Sequence, residues 1–221
     1  MSRAIPICLL VCSVAFGIAS PVFAGDDVSK VNGSIRIDEG RSVGDLDTVN
    51  GSIELGDNGQ ADEVSTVNGS IEIGDNASIQ SADTVNGRVV IGKRARIAKD
   101  IDTVNGALTL AEGSDVSGNA SNVNGSIRLQ AAHIGGGIKT VSGDIEVGAD
   151  SRVDGGILVE KSTGWFFSSS SNRPPRIVIG PRAVVRGKLV FERDVELHVS
   201  DTATVGEISG ATPIKFSGAN P

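Results

Sequence analysis

Between residues 31 and 147 one short pattern of apolar and polar positions returns seven times. The copies are Val31–Ile37, Val49–Leu55, Val67–Ile73, Val85–Ile91, Val104–Leu110, Val123–Leu129 and Val141–Val147, and their first valines lie 18, 18, 18, 19, 19 and 18 residues apart. A short, regular period is the mark of a solenoid, in which each repeat covers the apolar face of the next. From Val67 the apolar positions continue at Ile71, Ile73, Ala77 and Ile79, and Ile71 and Ile73 alternate across Glu72 with the two-residue period of a strand. Ile73, Ile79, Val85, Ile91 and Ile97 follow at intervals of six, so each coil is expected to have three short sides. A helix does not fit: β-branched residues dominate, Gly recurs in every copy, and no 3.6-residue stripe is present. The prediction is an all-β fold, a single-stranded β-helix (solenoid) of about 18 residues per coil, whose handedness the spacing leaves open. In each rung Val and Ile are expected in the core and Glu in water. The Gly of Asn-Gly is expected to turn the corner with positive φ. Asn32, Asn50, Asn68, Asn86, Asn105 and Asn124 would stack as a turn ladder of side-chain amides, which Ser142 interrupts.

Asn-Gly between apolar residues is also a strong hairpin signal, which leaves an antiparallel meander as the competing fold. Its weakness is the arm before each Asn-Gly, such as Gln80–Val85, which alternates too little to pair well. Rung-like patterning continues through Ser151–Val159, Arg176–Ile179, Leu189–Phe191, Val195–Val199 and Val205–Ile208. It breaks at residues 162–175, where Trp165, Phe166 and Phe167 precede four serines and Pro174-Pro175, a composition that marks a loop. We therefore expect one solenoid domain over 25–212 with a loop inserted at 162–175, and a tail at 213–221. The aromatic loop either folds back over exposed core or a lateral groove, or offers a contact site to a partner.

Residues 1–24 read as a secretory signal peptide, with Arg3, an apolar run from Ile5 to Ile18, and cleavage after Ala24 of Val22-Phe23-Ala24. That places the mature chain in the periplasm or outside the cell. The apolar run is shorter than the roughly 20 residues of a membrane span, and no transmembrane segment is expected in the mature chain. Both cysteines, Cys8 and Cys12, fall in the leader, so the fold does without disulfides and thiolate metal sites. The net charge of −7 becomes −8 once Arg3 is removed, and residues 25–150 hold 20 acids against 10 bases. An acidic body argues against nucleic acid. With one Trp and no Tyr, a stacking platform for sugars or bases is not expected.

Candidate chemistry is sparse. His133 and His198 sit in no metal-ligand spacing, and Gly135-Gly136-Gly137 lacks the Lys-Ser/Thr of a phosphate loop. Asp57 and Asp75 occupy equivalent Gly-Asp-Asn turns and could meet at Ca²⁺, but the next copy puts Lys93 there, which favours solvated turns. Thr48, Thr66, Thr84, Thr103 and Thr140 form a column too thin for a water-ordering face. Arg36 beside Glu54 and Arg128 beside Glu146 point to ion pairs between coils. No catalytic, cofactor-binding or metal-binding residue and no cofactor are expected, and the chain does not read as an enzyme.

Ile73-Gly-Asp-Asn-Ala-Ser-Ile79, Ile91–Ile97 and Ile179–Val185 resemble the rungs of bactofilins, bacterial polymer-forming proteins with a right-handed β-helix. The Val-Asn-Gly-Ser-Ile-Glu-Ile copies resemble the β-strand repeats of a bacterial adhesin-type domain family. Together these likenesses span residues 28–210 and imply a β-solenoid. Bactofilins typically work in the cytoplasm, whereas this chain carries an export-type leader, which tilts the expectation toward the cell envelope. The Ile-Gly-x-x-Ala-x rungs also resemble hexapeptide acyltransferases, but neither His here has their motif. The implied role is structural or adhesin-like, through self-association or an envelope component. The alternatives are a polysaccharide-binding or polysaccharide-active β-helix and a self-assembling polymer.

Overall fold

The computed structural model describes residues 25–161 and 173–221; the leader-like residues 1–24 and the aromatic trio Trp165, Phe166 and Phe167 lie outside the described residues. Every described strand pairs in parallel with the equivalent strand of a neighbouring coil, through most of the stack 18 or 19 residues on, as in Leu46↔Val64 and Ala82↔Ile101. Parallel neighbours cannot be joined by a two-residue hairpin, so the chain is a β-solenoid and not a meander. Three sheets result. The first runs through ten strands from Val28–Asn32 to Ile208–Ser209, the second through ten from Ile35–Ile37 to Ile214–Phe216, and the third through seven from Ser78–Ile79 to Thr204–Val205. Isolated bridges Ser42↔Gln60↔Ser78 carry the third side toward the N-terminus. The strand Ile214–Phe216, inside the stretch expected as a tail, pairs beside Glu196–Ser200. Among the described residues no helix is long and apolar enough to cross a membrane.

The inserted loop leaves the stack in register. Ile157 pairs with Leu189 and Val153 with Val185, each 32 residues on, and the rungs on either side remain aligned. The extra residues leave between strand Ile157–Val159 of the first sheet and Arg176–Ile179 of the second, the corner where Asn-Gly sits in earlier coils.

Inside, aliphatic side chains form one continuous column, including Leu46, Ile53, Val64, Ile71, Ile79, Ile91 and Ile97, all 3% exposed or less. The repeat valines are not in it. Val49, Val67, Val85 and Val104 are 39–42% exposed, contrary to the expectation that the Val of each rung fills the core. Strand Glu63–Asn68 alternates without interruption: Val64 and Thr66 point inward, so Ser65 and Val67 point out. The threonine column is the buried one, at 0–4% exposure. Thr66 Oγ1 donates to the Gly51 carbonyl at 3.0 Å, and Thr84 does the same to Gly69 at 3.2 Å, so these two hydroxyls are satisfied inside, whereas Thr103 Oγ1 is buried without a partner.

The Asn-Gly corner needs glycine for a reason other than the expected one. Of these glycines only Gly33 and Gly125 have positive φ. At Gly51, Gly69, Gly87 and Gly106 a Cβ would overlap the carbonyl of the equivalent glycine in the preceding coil. The left-handed corner is the next one along, where Asn58, Asn76, Arg94, Ala131, Asp150 and Arg182 adopt φ of 48–60°. We predict that Gly69→Ala costs more than about 3 kcal/mol, because backbone must move. Gly33→Ala meets open space at φ +108° and should cost only about 1–2 kcal/mol of strain. Equal shifts in urea melts of the two variants would contradict this account.

Candidate functional site

The alternation that turns Thr66 inward builds the outer face of the first sheet. Val31, Val49, Val67, Val85 and Val104 stand in one row along the solenoid axis, and among the described residues only Ile214 joins them as an exposed large aliphatic side chain. Adjacent coils are about 4.8 Å apart, so five valines make a ridge of about 20 Å. On its corner side runs the amide ladder: Asn50 Nδ2 donates to Asn32 Oδ1, and the same bond repeats up to Asn124 and Asn105, at 3.0–3.1 Å. On the other side runs a row containing Asp47, Ser65, Asp83, Asp102, Ser121 and Lys139, in register from coil to coil. A groove of about 570 Å³ lies between this last row and the valines from Ser65 to Glu160. A second of about 810 Å³ shares Asp102, Ser121 and Lys139 with it and continues toward Lys188.

The second sheet pairs Arg36 with Glu54 at 2.6 Å and Arg128 with Glu146 at 2.7 Å, as their register implied. Other carboxylates are structural: Asp57 Oδ1 accepts the Asp75 amide at 2.8 Å, and Asp75 Oδ1 accepts the Lys93 amide at 2.7 Å. These two cap the backbone of the following coil, a role their Gly-Asp-Asn turns did not disclose. Asp45 and Asp100 do the same at the corner entering the first sheet. Among the described residues the carboxylates of Glu63, Asp83 and Asp102 have neither ion pair nor hydrogen bond, in contrast to Lys139–Glu160 and Lys188–Glu207 farther along the face. Burial first, then the charges of Asp102, Glu63 and Asp100, raise Asp83 to a pKa of about 6.

The third sheet carries a cluster that sequence spacing concealed. His133 Nδ1 lies 2.5 Å from Asp115 Oδ1 in the preceding coil, and Nε2 lies 3.0 Å from Asp154 Oδ2 in the following one. Arg152 and Arg186 also reach Asp154. Partial burial pulls the His133 pKa down, but the bonds to the two carboxylates outweigh it and raise the value. With both ring nitrogens engaged, the imidazole is a clasp across three coils. Among the described residues no group of three or more His, Cys, Asp or Glu is placed to hold a metal ion. His198 pairs with Glu196 at 2.6 Å on its own strand. No family model, curated protein or solved structure matches the chain.

Two pH effects follow. Asp83 binds its proton more tightly when folded, so its contribution is greatest below about pH 4 and is lost as pH rises through about 6. Asp83→Asn should therefore raise stability at pH 8, by on the order of 1 kcal/mol after solvent screening, with the gain fading toward pH 4 in thermal melts. His133 also has a raised folded value, so its clasp acts fully below about pH 6.5 and weakens as pH rises through that value. His133→Ala should lower the melting temperature most near pH 6 and least near pH 9; a deficit independent of pH would show that charge plays no part.

Proposed function

We propose that the chain is an exported, non-enzymatic β-solenoid of the bacterial cell envelope, structural or adhesin-like, that acts through its long outer face. The observation that carries this reading is the exposed valine ridge with its flanking groove, since contiguous apolar surface of this kind marks a contact site. Elsewhere the repeat is occupied with building: inward side chains fill the core, and amides and carboxylates tie each corner to the next coil. The leader-like residues 1–24 and the likeness of the rungs to adhesin-type repeats support the envelope.

A bactofilin-like polymer is the second reading, and the two ends favour it. Strand Val28–Asn32 is an exposed first edge, and Ile214 is 52% exposed on the last strand. Unpaired strand edges of this kind accept further strands.

Fractionation of cells carrying a C-terminally tagged chain tests the first reading. The expected product is enriched in the envelope or periplasm with Gly25 as its N-terminus. An intact chain starting at Met1 in the cytoplasm would overturn it. Negative-stain images of the purified protein separate the second: filaments are expected of a polymer, and a monodisperse monomer excludes it.

A further inference from the structure

We infer that the valine-ridged groove on the first sheet is a docking surface for an extended cationic polypeptide segment carrying alternating aliphatic and lysine or arginine side chains. The inference rests on the reading that this face is the chain's contact surface, and it specifies the chemistry of what is contacted.

Three observations converge. The ridge formed by Val67, Val85 and their neighbours is apolar, straight and exposed, and suits aliphatic side chains laid along it. Beside it, Asp83 and Asp102 stand in register on adjacent coils with no cation or hydrogen-bond donor of their own, and Glu63, two positions off their row in the coil before, has none either. Elsewhere in the fold cations reach several carboxylates, as in Arg36–Glu54, Arg182–Asp150 and Arg152–Asp154. Like charges in neighbouring coils oppose one another, and that repulsion adds to burial, the larger cause, in raising the pKa of Asp83. A cationic partner relieves it while covering the valines. A second copy of this chain does not, because stacking two such faces brings both rows of carboxylates into one interface.

An extended segment also fits the dimensions. The groove lies along the axis, and its continuation past Ser121 and Lys139 lengthens it beyond what a compact cation fills. An extended peptide advances about 3.3 Å per residue, so six to eight residues cover the ridge.

The test measures binding of acetylated, amidated (Lys-Val)₄ to the purified protein by calorimetry at low salt. (Lys-Ser)₄ and (Glu-Val)₄ serve as comparison probes. The expected result is saturable binding of (Lys-Val)₄, at least about 10-fold weaker binding of (Lys-Ser)₄, and none of (Glu-Val)₄. Asp83→Asn/Asp102→Asn and Val67→Ser/Val85→Ser should each weaken (Lys-Val)₄ about 10-fold or more. Glu72→Gln/Glu112→Gln, which removes the same charge elsewhere, should change it less than about 2-fold. Thermal melts establish that the variants fold. Wild-type protein supplies an independent readout, because binding should weaken as pH falls from 7.5 to 5.5 and Asp83 takes up its proton.

Absence of (Lys-Val)₄ binding overturns the proposal, as does equal loss in the Glu72/Glu112 control, which would mean bulk charge alone. A wild-type dimer that Val67→Ser/Val85→Ser dissociates would assign the ridge to a second copy and also overturn it. Each of these results leaves envelope localisation intact, whereas a cytoplasmic chain that still binds the peptide would sink the functional reading and spare this one.

Discussion

The close approach of backbone to backbone at the Asn-Gly corner is the constraint on which the other regularities rest. At Gly51, Gly69, Gly87 and Gly106 the carbonyl of the coil below occupies the space a side chain would need. That approach brings the neighbouring asparagines to 3.0–3.1 Å, so each amide donates to the one before it, and it brings Thr66 and Thr84 within reach of glycine carbonyls. At the other corners the same short coil-to-coil distance lets Asp57, Asp75 and Asp45 accept backbone amides from the coil above. All of these contacts join residues about one coil apart. Stability is therefore a property of the stack, with each coil completed by its two neighbours.

The period, the absence of helix and the three-sided coil could be read from residues 31–147, because spacing survives whichever face a residue occupies. Orientation was harder. Hydrophobicity pointed to Val67 and Val85 as core, yet the strand buries Thr66 and Thr84. The signal that could have settled it was parity: Val64, Ala82 and Ile101 lie two residues before the threonines and share their side of the strand. Thr66 and Thr84 are tolerated inside because their hydroxyls find carbonyls, which a residue-by-residue hydrophobicity count does not register.

Positive φ was assigned to the wrong corner for a similar reason. Gly is the expected residue there, but in this chain Asn58, Asn76 and even Arg94 take the left-handed conformation, while most corner glycines answer a steric demand from a different coil. The Asp115–His133–Asp154 clasp was hidden because its members are 18 and 21 residues apart and meet only once the coils are stacked.

The exposed valine ridge with unpaired Asp83 and Asp102 beside it is the strongest sign that the first face is used. A chain with −7 net charge has ample acids for solubility, and nothing in its packing requires Asp83 and Asp102 to be adjacent and unpaired, with Glu63 nearby. Burial, and then the charges of Asp102, Glu63 and Asp100, raise Asp83 to about 6, a local conflict of the sort folded proteins retain where a site demands it. Their position beside the valines gives the conflict a direction. An exposed aliphatic ridge on a flat sheet invites copies of the same chain to stack, and a flanking row of like charge opposes that contact while leaving a cationic one favourable. The same three carboxylates therefore keep the ridge open and select what covers it.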